Sequence, residues 1–437
     1  MMNLLKGSRA VWVVFVVSVL LLGACTTKGA KGPADGDVKN TATELEKDRE
    51  PITMNLFLQF DWEYIKEDIE EEFPFITVEH IRVAPDEWKE KIAQGVFPDL
   101  IWYEGPRRFL EASELELPMD LDPLIEKHNY DLSRFQPEII ETLRSFTDNS
   151  ELYALPKQTS PYALHYNKTI FDEFGVDYPS DDMTWTEVAD LARQVTGERN
   201  GVHYYGLLPR AHDRALINYT LLDPDTDEPI IDSTSFIKTF METFQNIYAI
   251  PDNLPENEKD LLDPRSLFVN GQLAMMPIWS SITGMTENPG NVDIATYPSW
   301  DEFPNTQPES RSHSIGITST AQDPDLAFEV LSYLVSDEYL MNKTDFEAPA
   351  RLPFSDQSLI NEYEVDPIYQ DLHLEALSKH PFAKGPAKRS KYELTVMNEL
   401  IPEMITEIAY TQKDVNTVLR ETQEKAEALV KDLKANQ

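Results

Sequence analysis

Residues 52–104 read ITMNLFLQFDWEYIKEDIEEEFPFITVEHIRVAPDEWKEKIAQGVFPDLIWYE. Ile52, Met54, Leu56 and Leu58 alternate through residues 52–60 as in a strand. Trp62, Ile65, Ile69 and Phe73 then recur at spacings of three and four, which marks one apolar helix face. Ile76-Thr77-Val78 reads as a second strand, Trp88 and Ile92 as a short helix, and Leu100-Ile101-Trp102-Tyr103 as a continuous apolar strand. Strand, helix, strand, helix, strand predicts an α/β fold with a parallel, doubly wound sheet. Ligands gather beyond the carboxyl ends of such strands, which puts Asp61, Trp62, Tyr103 and Glu104 at a candidate binding edge.

Upstream, Lys6 and Arg9 precede an apolar run from Ala10 to Leu22. That run falls short of the roughly 20 residues a spanning helix needs and fits the apolar core of a signal peptide. It ends in Leu22-Gly23-Ala24-Cys25, which resembles a bacterial lipobox, and Cys25 is the only cysteine in the chain. Residues 1–24 therefore read as a lipoprotein signal peptide and Cys25 as the lipidated residue, anchoring the protein to the extracytoplasmic face of the cell membrane. Residues 25–50, rich in Thr, Lys, Gly, Asp and Glu, cannot bury a core and read as a flexible tether. An exported chain with one cysteine forms no internal disulfide, so its stability rests on its core.

The formal net charge is −39. Residues 1–24 contain two basic residues and no acidic ones, so the exported part is more acidic still. Nucleic acid and anionic membrane surfaces are poor partners for such a chain. No His-Glu-x-x-His, Gly-x-Ser-x-Gly, phosphate-loop or dinucleotide-binding pattern occurs, and the eight histidines lack metal-ligand spacing. Asp223, Asp225 and Asp227 begin like a calcium loop, but Glu228 stands at the sixth position and Thr234 at the twelfth, so the stretch reads as a solvated hairpin loop. No enzyme activity, metal or cofactor is expected.

Six motifs in order carry a family resemblance. They are Phe97-Pro98-Asp99-Leu100 with Trp102; Leu121-Asp122-Pro123-Leu124; Leu152-Tyr153-Ala154-Leu155-Pro156; and Tyr166-Asn167-Lys168 with Phe171, Gly175, Pro179, Thr184-Trp185 and Glu187. The last two are Phe268 to Met275 with Trp279, and Ile315-Gly316-Ile317 followed by Asp323 to Ala327. Together they resemble extracellular solute-binding proteins of the maltose-binding type, the receptors of ABC importers. The resemblance implies a two-lobed periplasmic-binding-protein-like fold of type II that closes on its ligand by a hinge. Aligned on it, residues 51–156 plus 312–347 form an N-terminal lobe and 157–311 plus 348–437 a C-terminal lobe. Crossings fall near Leu155-Pro156, Arg311 to Ile315 and Ala348 to Leu352. The apolar face of Val415, Val418, Leu419, Ala426, Leu429, Val430 and Leu433 reads as a helix covering the second lobe.

The ligand implied by the resemblance is a small solute, a sugar or short oligosaccharide, delivered by a monomeric receptor to a membrane permease. Trp62, Trp102, Tyr103, Tyr162 and Trp279 offer flat apolar faces for sugar rings, against the alternative that each packs in a core. Asp61, Glu104 and Arg107 offer charged groups for hydroxyls. Asp61 and Glu104 equally suit a cationic solute, so a peptide or polyamine stays open. So does a cell-surface protein or enzyme that reuses the fold.

Overall fold

A computed structural model describes residues 49–58, 63–82, 87–147, 149–210, 219–279, 289–343, 349–365, 367–411 and 413–435. Cys25, the signal segment, most of the tether, Asp61 and Trp62 lie outside the described residues. Residues 51–437 form one compact unit. None of the described helices is long and apolar enough to cross a membrane.

Among the described residues the strands are β1 (Ile52–Leu58), β2 (Ile76–Arg82), β3 (Leu100–Glu104), β4 (Leu155–Gln158), β5 (Tyr162–Asn167), β6 (Gly197–Arg199), β7 (Val202–Leu207), β8 (Leu273–Trp279), β9 (Val292–Thr296) and β10 (His313–Ile317). They make two sheets, ordered β2-β1-β3-β10-β4 and β6-β7-β8-β5-β9. β1 runs parallel to β2 and β3, as the alternating pattern of residues 52–104 predicts. β10, from far along the chain, inserts antiparallel between β3 and β4. In the second sheet β7 and β8 are parallel, while β5 lies antiparallel between β8 and β9.

Each sheet carries its own core. Helix Glu63–Glu72 turns Ile65 and Ile69 inward beside Leu56, Val78 and Ile101, and helix Pro324–Leu334 adds Phe328, Val330 and Leu331 to the same core. Around the second sheet, helices Trp185–Val195, Ser235–Tyr248 and Glu393–Tyr410 bury Val188, Phe240, Phe244, Met404 and Ile405. Helix Val415–Ala435 adds Val418, Leu419, Ala426 and Val430 to that core, with Leu429 and Leu433 packed at its edge. At roughly 1.5–3 kcal/mol for each fully buried large apolar side chain, the two cores are the main favourable contribution to folding.

Several motif residues serve as scaffolding. The Asp99 carboxylate is buried and accepts the backbone N–H groups of Asn55 and Gln322, tying β1 to the loop after β10. Asn167 caps helix Lys168–Phe174 by accepting from Thr169 N. Thr184 and Glu187 form a reciprocal capping box on helix Trp185–Val195, worth about 1 kcal/mol. Gly316 is where β10 crosses closest to its neighbours: an added Cβ would sit 2.5 Å from the Tyr153 carbonyl and 2.7 Å from the Tyr103 ring.

Three passages join the sheets. Thr159-Ser160-Pro161 link β4 to β5, and residues 297–312 carry the chain from β9 back to β10. At the expected third passage, 348–352, Ala350 packs with Ala163 and Ile294 of the second sheet, and the Thr159 hydroxyl donates to its carbonyl. Leu352, Phe354 and Ile360 are buried in the first core, whereas Ala376 and Leu377 pack on Ala163 and Ile294 of the second sheet. The chain thus touches the second sheet at Ala350, returns to the first core through Ile360 and lies on the second sheet again at Ala376. The physical reason is the backbone pairing of Phe135 with Phe354, together with Gln136 N donating to the Pro353 carbonyl, which holds this segment on the first lobe.

Candidate functional site

The site is built where the two sheets and the second passage meet. Trp279 ends β8, Glu104 ends β3, and Arg311 lies two residues before β10. The Arg311 guanidinium stands 4.7 Å from the centre of the Trp279 ring, and its Nη2 lies 3.4 Å from a Glu104 oxygen. From the second lobe, the Arg210 guanidinium stands 4.5 Å from the same ring. Nε of Arg210 is 3.4 Å from Asp263, whose carboxylate Arg265 grips at 2.7 and 2.8 Å. Burial works to raise the Asp263 carboxyl, but the Arg265 hydrogen bonds and the two guanidinium charges hold it below the ordinary value. Gly105, at φ 75°, follows Glu104, and an added Cβ there would stand 3.6 Å from Arg311. A residue with a side chain would be strained there by the left-handed backbone, while its Cβ would only reach ordinary contact with Arg311.

A further cationic group stands on β4. Lys157, on β4, is only 2 % exposed, and its ammonium stands 5.6 Å from the Trp102 ring and 5.4 Å from the Tyr339 ring. Burial pushes its pKa down to about 8, with the Asp68 charge opposing. His313, on the adjacent β10, packs edge-on against Trp102 at 6.1 Å. Burial, then the charges of Arg311, Arg351 and Lys157, push its ring down to about 3, so it is neutral at pH 7.

The residues singled out on sequence are distributed as follows. Trp279, half-buried, and Glu104 are brought together through Arg311. Trp102 and Tyr103 are instead buried in the first core. Tyr103 packs edge-on against Phe109 and Tyr153, and its burial raises the phenol pKa well above 10. Tyr162 pairs with Trp279 across β5 and β8 but is buried against Tyr297 in the second core. All three rings are buried among protein side chains in this structure. The alternation of a half-exposed strand does not apply, because both faces of these strands are covered. Arg107 is exposed on helix Pro106–Ser113 and pairs with Glu111 at 2.9 Å. Sequence reasoning did not find Arg210 or Lys157 and used Arg311 only to mark a crossing; no spacing links them to Trp279, and only the fold brings them there.

Two other features carry less. A cavity of about 200 Å³ lies between the lobes beside Gln307, Phe354 and His380. The Gln307 amide there is committed, accepting from Tyr162 N and donating to the Leu377 and His380 carbonyls. The Asp223 loop closes on itself, with one Asp223 oxygen accepting from Asp225 N, Thr226 N and the Thr226 hydroxyl. Among the described residues no group of three His, Cys, Asp or Glu side chains is placed to hold a metal.

Comparison with known proteins agrees with this architecture. Residues 59–341 match the family of bacterial extracellular solute-binding proteins. An arabinooligosaccharide-binding protein of Halalkalibacterium halodurans is 25 % identical over 252 residues, 54 % of either chain; the match thus spans about half that relative's length. A Rhizobium etli sugar transporter in an open conformation superposes with TM-score 0.66 at 19 % identity, covering 86 % of this chain and 99 % of that one. The sugar-binding protein MalE of Xanthomonas citri gives 0.67 at 16 % identity, covering 88 % and 98 %. A Listeria monocytogenes substrate-binding protein in complex with cycloalternan gives 0.65 at 18 %, covering 88 % and 99 %. At such identities the superpositions establish the fold, a two-lobed binding-protein fold of the MalE type. Matched by the family model over more than half its length, the chain belongs to the bacterial extracellular solute-binding proteins.

Proposed function

We propose that this protein is the receptor of an ABC importer, tethered through Cys25, which captures an oligosaccharide between its lobes and delivers it to a membrane permease. The lobes are residues 51–158 with 313–360, and 162–296 with 374–435, the passages between them serving as the hinge. The observation that carries this reading is the meeting of Trp279 from the second lobe with Arg311 and Glu104 at the end of β3. An indole provides an apolar platform, and a guanidinium and a carboxylate donate and accept hydrogen bonds, which together suit the mixed faces of a sugar. Two guanidiniums stand over that indole, so a sugar ring stacked on it would displace at least one of them. The sugars named for the relatives support the same solute class. A polyamine, open on sequence, would meet Arg210 and Arg311 and is disfavoured by like charge.

A thermal-shift screen against an oligosaccharide library tests this. A ligand at a hundred times its Kd adds roughly 2.7 kcal/mol of apparent stability, a rise of a few degrees in Tm. The same ligand should contract the particle in small-angle scattering. Binding without contraction would refute the clamp, and turnover of the bound sugar would replace the receptor by an enzyme. Cys25→Ser should move the protein from the membrane to the soluble fraction or leave it unprocessed; identical fractionation without lipid in either form would refute the anchor.

A further inference from the structure

We propose that Gln307 is the positioning residue of the Trp279 platform, a role that rests on the receptor reading above and concerns how that same site is held. Its side-chain amide knots together the stretches of chain that run between the lobes. Gln307 lies on the 297–312 passage and is 3 % exposed. Its amide oxygen accepts the Tyr162 N–H at 2.8 Å, and its amide nitrogen donates to the His380 carbonyl at 2.7 Å and the Leu377 carbonyl at 3.3 Å. Tyr162 opens β5, where the chain arrives from Thr159-Ser160-Pro161. Leu377 belongs to the segment that lies on the second sheet after the return to the first core. One amide therefore ties the first passage, the second and the far end of the third. The Gln307 main chain adds two bonds to the last of these, donating to the Pro381 carbonyl at 3.1 Å and accepting the Ala383 N–H at 2.8 Å.

The knot reaches the platform through one strand pair. Tyr162 stands directly opposite Trp279 across β5 and β8. Tyr162 is the first residue of β5 and Trp279 the last of β8, so this pair is the end of the sheet, and the Gln307 oxygen pins it there. Residues 308–312 then carry the chain to β10, with Arg311 among them and Glu309 held by Arg389. Beside Gln307, the cavity of about 200 Å³ is lined by Phe354 and Ile360 of the first core and by Leu377 and His380. Protein interiors are close-packed, so a void at this place gives first-lobe side chains room to shift while the knot stays whole. Gln307 thus moves with the second lobe and carries Trp279 with it. Releasing the amide frees the end of the sheet to sample orientations that binding must then reorder, and that cost is taken from affinity.

The test is a double-mutant cycle, read by calorimetric titration of the purified full chain with the tightest binder among arabino-, manno- and malto-oligosaccharides. Gln307→Met keeps the length of the side chain and removes its three bonds. Gln307→Asn keeps the amide but draws it back, and takes its place if the first variant does not fold. Expected is a rise in Kd of roughly three- to tenfold with Trp279 present and of less than about twofold in the Trp279→Ala background, because residues acting as one unit do not add. Gln423 is a second amide bonded to main chain, accepting the Ile231 N–H and donating to the Pro229 carbonyl from helix Val415–Ala435. Gln423→Met should lower Tm and leave Kd unchanged. If Gln307→Met does the same, Gln307 is a structural residue and the proposal is overturned; failure of both Gln307 variants to fold overturns it equally. Equal losses of affinity with and without Trp279 overturn the route through the platform and leave the sugar receptor standing. Failure of the wild-type protein to bind any oligosaccharide overturns the receptor reading and this role with it.

Discussion

Arg389 and Arg311 are both guanidiniums at the junction of the lobes, and they are set in opposite ways. Arg389 is 5 % exposed, meets both oxygens of Glu309, itself 8 % exposed, and donates to the Ser145 hydroxyl. Its plane also rests 4.7 Å from the Phe146 ring. Both terminal nitrogens of that group are used inside the protein. Arg311 has one long contact to Glu104 and an aromatic ring, and keeps a third of its surface open. The first arrangement fixes a joint between Ser145 on the first lobe, the 297–312 passage and the C-terminal segment. The second leaves hydrogen-bonding capacity open to solvent. Full satisfaction suits a structural cation, and partial satisfaction leaves donors that a ligand of the kind proposed could use.

The comparison breaks if the two sites respond alike. Glu309→Ala strands a buried guanidinium and should cost about 3–5 kcal/mol of folding stability in urea denaturation. Replacing both partners, Glu309→Leu with Arg389→Met, should recover much of that loss, since apolar side chains of similar volume remove the desolvation cost. A loss below 1 kcal/mol for Glu309→Ala would show that the pair is no joint.

Next in size is a pH effect from two buried imidazoles. Burial lowers His165 to about 4, and burial with the neighbouring cations lowers His313 to about 3. The unfolded chain takes up these protons near pH 6.5, whereas the native state resists them until the lower values. Stability is therefore full above about pH 6.5 and falls as the pH drops toward 4, by about 3 kcal/mol from His165 alone. Denaturation midpoints at pH 7.5, 6, 5 and 4 check the slope, and His165→Leu should flatten it. A wild-type profile flat from 6.5 to 4.5 would contradict the burial of both rings.

The smallest effect belongs to the open site. Arg311→Gln should change ligand-free stability by less than about 1 kcal/mol, the range of partly exposed ion pairs. A loss of 3 kcal/mol or more would make Arg311 a second structural joint and remove the contrast with Arg389.

Much of the fold was legible because its signals are local. The alternation of Ile52 to Leu58 and the spacing of Ile65 and Ile69 encode a strand and a helix face without help from distant residues. The motifs carried the family because they hold the scaffold: Asp99 as a brace, Asn167 and Thr184 as caps, Gly316 as a close crossing. For the same reason they pointed poorly to the site. Trp102 and Tyr103 lie at the end of a motif strand and are core residues. The Arg107–Glu111 pair was readable as an i, i+4 helix contact, which would have argued against a ligand role for Arg107. Arg210, Arg311 and Trp279 meet only because β10 returns from far along the chain to lie beside β3. No pattern in one sequence encodes that return.

The central claim is that Trp279 faces a solute, and one variant tests it in two measurements on the same preparation. Stacking on a buried aromatic anchor contributes about 2 kcal/mol, so Trp279→Ala should raise the Kd of the bound oligosaccharide roughly thirtyfold. Half-buried, the ring should cost less than about 1.5 kcal/mol of ligand-free stability when truncated. A loss of 3–5 kcal/mol in the ligand-free protein with an unchanged Kd is the response of a core tryptophan and would contradict the account.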